Sequence, residues 1–155
     1  MKQEIKMGNP SLTIGQIEHV LNSFIENKVH IPLMLWGKPG IGKSEIVKKV
    51  AKDNNYKLID IRLSQKENVD IAGMPVTNTI EINGEKHNVL DFHPPRWFVE
   101  ALFEGNCILF FDELNRGRPE TLQAIFQIIY DRTLNGKKLP ETVLQCAAGN
   151  LSLIH

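Results

Sequence analysis

The octapeptide Gly37-Lys38-Pro39-Gly40-Ile41-Gly42-Lys43-Ser44, with what flanks it, restricts this chain more than any other feature. Before it runs a short apolar stretch, Ile31–Trp36, of strand length. After it, Ile46, Val47, Val50 and Ala51 recur at helical spacing within Ser44–Asp53. A strand that enters a glycine-rich loop and leaves it as a helix begins a β-α-β unit. Such units require a parallel sheet with helices on its faces. The glycines let backbone approach an anion without a side chain intruding. Successive N–H groups and the new helix N-terminus then point at that anion. Glycine, four residues, glycine, lysine and serine is the spacing that cradles nucleotide phosphates.

The remaining periodicities complete a sheet. Ser11 or Thr13 can cap a helix in which Ile14, Ile17, Val20, Leu21, Phe24 and Ile25 share a face, ending near Asn27. Lys57–Leu63 alternates as a strand, and Ser64–Ile71 is a loop or a short helix. Thr79–Ile82 and His87–Leu90 flank Asn83-Gly84, a strong hairpin signal. Pro94-Pro95 interrupts regular structure. Arg96–Phe103 then reads as a helix with Trp97, Phe98, Ala101 and Leu102 on its apolar face. Cys107–Phe111 is almost wholly apolar, as a central parallel strand buried on both faces requires. Pro119–Tyr130 is a helix with Leu122, Ile125, Phe126 and Ile129 inward, and Thr142–Ala148 is the last strand. The predicted fold class is α/β, a P-loop NTPase three-layer αβα sandwich with a mostly parallel central sheet and a small β-hairpin insertion. Ligands of such sheets bind at the carboxyl ends of the strands.

Composition narrows the class further. The 155 residues suit one domain. Lys+Arg and Asp+Glu are both 18, so the formal charge is zero and gives no reason to expect nucleic acid as the main partner. Cys107 and Cys146 both fall in apolar runs. They read as buried core residues of a reducing, cytoplasmic compartment rather than as a disulfide framework. Residues 1–10 are polar and read as a flexible leader without the apolar centre of a signal peptide. Residues 11–155 read as one nucleotide-binding core. No apolar run is long enough to span a bilayer, so no membrane role is expected. The five histidines lack metal-ligand spacing.

Candidate site residues follow from the chemistry of a bound triphosphate. Gly37, Lys38, Pro39, Gly40, Ile41, Gly42, Lys43, Ser44 and Glu45 form the cradle and the first turn of its helix. Lys43 is expected between the β- and γ-phosphates, and the Ser44 hydroxyl on Mg²⁺. Ile108-Leu109-Phe110-Phe111-Asp112-Glu113 is an apolar strand ending in two carboxylates. Asp112 is expected to hold Mg²⁺ through water, and Glu113 to take the proton of an attacking water. The cation offsets the repulsion of the paired carboxylates. Asn150 follows the last strand. Alone it is an ordinary turn residue after Gly149. In this order along the chain it is expected to reach the γ-phosphate or the attacking water.

Together, Gly37–Ser44, Asp112-Glu113-Leu114-Asn115-Arg116 and Ala148-Gly149-Asn150 resemble the MoxR-like branch of the AAA+ ATPases. Asp70-Ile71-Ala72-Gly73 and Pro94-Pro95-Arg96-Trp97 share the resemblance, which spans roughly residues 10 to 150. It implies ATP and Mg²⁺ as ligands, Asn150 as the sensor-1 residue, and a homo-oligomer, usually a hexameric ring. It also implies a remodelling or chaperone-type activity, often with a von Willebrand factor A domain protein. Members continue past sensor 1 with a trans-acting arginine and a helical lid. Since the sequence stops at His155, the expectation is a core without its lid, either truncated or naturally short, with low turnover alone. Arg116, Arg118 and Arg132 are candidates to meet a neighbour's nucleotide, with ordinary salt bridging the better expectation for each. Phe92–Trp97 reads as a packed loop whose Trp97 fills the core, rather than as a base-stacking surface. The hairpin either decorates the surface or reaches a substrate in the ring pore. Glu100 and Glu104 read as a solvated helix face. Two alternatives stand beside hydrolysis: a nucleotide-binding module with negligible turnover, and a DNA-directed motor or helicase loader.

Overall fold

The computed structural model describes residues 12–150. The expectations for the leader, for Ser11 as a cap and for the last five residues lie outside them. Among the described residues five helices run α1 Ile14–Glu26, α2 Lys43–Asp53, α3 Asn68–Ala72, α4 Arg96–Phe103 and α5 Pro119–Asp131. Four strands, β1 Leu33–Gly37, β2 Lys57–Arg62, β5 Cys107–Asp112 and β8 Val143–Asn150, form a parallel sheet in the order β1-β8-β5-β2. Parallel pairing follows from the helix that links each strand to the next.

β5 shows how the sequence dictates the layers. Every one of its residues is buried. Cys107, Leu109 and Phe111 pack with Ile71 of α3, Phe98 of α4 and Ile125 and Ile128 of α5. Ile108 and Phe110 point the other way, onto Leu21 of α1 and Val47 and Val50 of α2. Alternation along one wholly apolar strand therefore feeds two cores, which is the predicted αβα sandwich. Each buried phenylalanine contributes roughly 1.5–3 kcal/mol of transfer free energy. The first helix starts where Thr13 accepts from the Gln16 N–H while the Gln16 side chain accepts from the Thr13 N–H, a reciprocal cap.

The hairpin is longer than its apolar cores predict. β3 Met74–Ile82 and β4 Glu85–His93 pair antiparallel along their whole length. Polar side chains bridge its two strands: Asn78 donates to Asp91 at 2.8 Å, and Thr79 donates to Asn88 at 3.1 Å. Both faces are largely exposed, so no in-out alternation marks its ends in the sequence. A second, shorter hairpin joins β6 Thr133–Leu134 to β7 Lys137–Lys138. Its turn, Asn135-Gly136, has both residues at positive φ, as Asn83-Gly84 does. That geometry suits a two-residue hairpin turn. Two-residue strands carry too little pattern to read from sequence.

Candidate functional site

The carboxyl ends of the four parallel strands carry Gly37 (β1), Asn150 (β8), Asp112 (β5) and Arg62 (β2). Gly37 stands opposite Asn150, and Arg62 opposite Asp112. The sheet thus brings residues over a hundred positions apart to one edge.

The loop between β1 and α2 wraps around the Lys43 ammonium. Lys43 Nζ donates to the carbonyls of Gly37 (3.0 Å) and Lys38 (2.9 Å) and to Oδ1 of Asn150 (3.3 Å). Burial pulls this ammonium below the ordinary lysine value, and the nearby Asp112 carboxylate opposes that pull. Gly42 precedes α2 at φ 94°, a left-handed conformation that favours glycine, and no side chain caps the helix. The first-turn N–H groups of Lys43, Ser44 and Glu45 are therefore uncapped by the helix's own residues. A Cβ on Gly37 would sit 2.6 Å from Ile41 Cδ1. Lys38, Pro39, Gly40 and Ile41 are exposed along the loop's outer rim.

Asp112 lies across from this helix. Its Oδ2 accepts from the Ser44 hydroxyl at 2.9 Å, and its Oδ1 from the Glu113 N–H at 2.8 Å. Arg62 Nη2 approaches Asp112 Oδ2 at 3.9 Å. A hydroxyl and a carboxylate in contact are hard oxygen donors of the kind that Mg²⁺ accepts. The donor set fits that ion.

Glu113 is the backbone outlier of the site, at φ 56° and ψ 46°. A non-glycine residue rarely adopts this conformation without a reason in its surroundings. The Glu113 carboxylate meets the 3-10 turn Leu63–Gln65 that follows β2, where Ser64 donates to it. Asn150 is fixed through its backbone: its N–H donates to Oδ1 of Asn115 at 3.0 Å. Asn115 belongs to a 3-10 turn, Leu114–Arg116, that follows Glu113.

Ser64, Arg62 and Asn115 were not singled out for roles by the sequence. Their signal lies in register, because each touches a residue at least 35 positions away. The three arginines separate. Arg132 Nη2 donates to the carbonyls of Pro140 (2.6 Å) and Val143 (2.9 Å), where β8 begins, at the opposite end of the sheet from the phosphate loop. Arg118 pairs with Glu67 at 2.8 Å, while Arg116 is exposed. Trp97 stacks edge-on against Phe98 and Phe111 and donates to the Asp70 carbonyl at 2.8 Å, so it is packing. Glu100 and Glu104 both approach Lys57, at 3.7 and 3.0 Å.

A lysine-bearing loop before an uncapped helix, facing a buried carboxylate on a parallel strand, defines a nucleotide-binding domain of the P-loop class. Residues 32–147 match the model of the AAA domain, dynein-related subfamily, and the chain belongs to that family. Two solved structures share its fold. A candidate ATPase from Cytophaga hutchinsonii aligns with a TM-score of 0.55 over 92% of this chain and 41% of its own, at 18% identity. NtrX from Brucella abortus aligns with a TM-score of 0.55 over 95% of this chain and 32% of its own, also at 18% identity. The large subunit of replication factor C is 34% identical over 56 residues in both Methanococcus vannielii and Methanococcus maripaludis. That match covers 36% of this chain and only 11% and 12% of those two proteins.

Proposed function

We propose that the chain binds Mg-ATP in the loop Gly37–Ser44 and hydrolyses it, as residues 11–155 of a MoxR-like AAA+ remodelling ATPase. The observation that carries this reading is the convergence of Lys43, Ser44, Asp112 and Asn150 at the ends of three neighbouring strands. Lys43 exchanges its carbonyl partners for phosphate oxygens. The N–H groups of the loop and of Glu45 face the phosphates. Ser44 and Asp112 would hold Mg²⁺, which would supply charge neutralisation on the phosphates. Glu113 accepts a proton from the attacking water, and Asn150 orients that water or the terminal phosphate. The water oxygen bonds to the γ-phosphorus as the bond from that phosphorus to its bridging oxygen breaks, giving ADP and inorganic phosphate. Positioning and fixed charge do most of this work.

The family supports self-assembly, and we extend this to a hexameric ring that acts on a client protein in the cytoplasm, with a von Willebrand factor A domain protein as a candidate partner. No helix among the described residues is long and apolar enough to cross a membrane. Formal neutrality and the shortness of the replication factor match weigh against a DNA-directed motor. A second reading, a module that holds nucleotide with negligible turnover, draws on the Ser64–Glu113 contact, which occupies the expected base. Turnover measured against protein concentration, with nucleotide affinity in the same samples, separates the two. A specific rate that climbs with concentration supports a ring whose neighbours complete the site. Binding with a flat, near-zero rate supports the second reading, and absence of binding contradicts both.

A further inference from the structure

The side chain of Asn115 has no place in the chemistry above, yet it joins two parts of the site. Its Oδ1 accepts from the backbone N–H of Asn150, and Asn150 Oδ1 accepts from Lys43 Nζ. The three residues come from the turn after β5, the end of β8 and the first turn of α2. The direction of the first bond is forced. A backbone N–H can only donate, so the Asn115 atom that faces it is oxygen.

Ladder register shows why a side chain is needed there. The pairing of β5 with β8 ends at Phe111 and Ala147, three residues short of Asn150. On this flank the end of β8 has run past its neighbour, and Asn115 supplies the missing acceptor. The Asn115 side-chain nitrogen is buried and has no partner among the described residues. The amide is therefore oriented by its bond to Asn150. The same turn follows Glu113, so one side chain links the loop bearing that carboxylate to the strand end that holds Lys43.

We propose that Asn115 is a positioning residue that acts through Asn150, fixing the strand end so that the site distinguishes a triphosphate from a diphosphate. This rests on the Mg-ATP reading of the same site. A role confined to stability would weaken both nucleotides alike. A role through Asn150 touches only the nucleotide with a terminal phosphate.

The test is the affinity of the full chain for a fluorescent, non-hydrolysable ATP analogue and for fluorescent ADP, both with Mg²⁺. Parent, Asn115→Leu, Asn115→Asp, Asn150→Ala and the double variant Asn115→Leu/Asn150→Ala are compared, with melting temperatures. Leucine is close in size but lacks the acceptor, and aspartate keeps it. Asn115→Leu is expected to lose about fivefold in affinity for the triphosphate analogue, the weight of one net hydrogen bond. Its ADP affinity stays within about twofold of the parent, below the weight of such a bond. Asn115→Asp keeps most of the selectivity, and the double variant is no weaker than Asn150→Ala, since coupled residues do not add. Asn115→Ala gives the same readout should the leucine variant fail to fold. Equal losses for both nucleotides, or single losses that multiply in the double variant, overturn the proposal. So does an unaffected Asn115→Leu chain when Lys43→Ala and Asn150→Ala both lose the triphosphate, and in that case the nucleotide site still stands. Lys43→Ala with both affinities unchanged removes the nucleotide reading itself, and Asn115 with it.

Discussion

The Ser64 hydroxyl donates a hydrogen bond to the Glu113 carboxylate, joining the end of β2 to the residue that follows β5. Glu113 makes this contact from a left-handed backbone conformation. A carboxylate held by a donor is less free to turn toward an attacking water. The contact therefore restrains the residue to which proton abstraction is assigned. Removing it in Ser64→Ala should raise basal ATP turnover by about two- to fivefold, the equivalent of a partly exposed hydrogen bond. Steady-state phosphate release checks this. A fall of the same size would mean that Ser64 aims the carboxylate rather than restrains it.

Gly149 lies between Ala148 and Asn150 on β8 and against the Trp36 ring of β1. A Cβ there would stand 2.4 Å from the indole. The half-buried Trp36 ring packs against the core, so it must shift to admit the Cβ. Gly149→Ala should therefore destabilise the chain by about 1–3 kcal/mol, as overpacking does, and should also weaken nucleotide binding. Chemical denaturation with a nucleotide titration measures both. An unchanged midpoint would show that β1 and β8 are less firmly apposed than their register implies.

The Asp60 carboxyl is raised above its ordinary value, mainly by burial and next by the Asp112 charge, with Arg62 opposing. A raised acid binds its proton more tightly in the folded state. Its contribution to stability is complete below the unfolded value of about 3.9 and is lost as pH rises through the folded value. Asp60→Asn should melt slightly higher than the parent at pH 7, by about 1–2 °C. The difference should close as pH falls to about 4. A variant that melts lower at pH 7 would contradict the assignment.

Burial pushes the Cys107 thiol up to about 11 and the Cys146 thiol up to about 12. The thiolate is the reactive form. Both thiols should stay silent toward an aromatic disulfide reagent at pH 8 in the native chain and react promptly in denaturant. Rapid labelling of the native protein would mean that β5 or β8 opens readily.

Long-range meaning was legible wherever local pattern was strong. Gly37–Ser44 fixed the strand-loop-helix order, and the apolar run before Asp112 identified the central strand buried on both faces. Asn83-Gly84 located a hairpin but not its length, because β3 and β4 are held by polar cross-strand pairs such as Asn78–Asp91. The identical Asn135-Gly136 signal joins strands of two residues, too short to show a period. Asn115 stood inside the Asp112–Arg116 run without a role of its own, and Ser64 and Arg62 had no local mark at all. What they touch is decided by which strands are neighbours and by where each ladder stops, and that emerges only when β2, β5 and β8 pair.

The central claim is that Glu113 takes the water proton at a Mg-ATP site built on Lys43, Ser44 and Asp112. Its most direct test is Glu113→Gln, with Mg-ATP affinity and turnover measured in the same samples at the concentration where the parent is fastest. Affinity should match the parent's and turnover should fall by about a hundredfold or more, the usual weight of a general base. Turnover equal to the parent's, with binding intact, would contradict it.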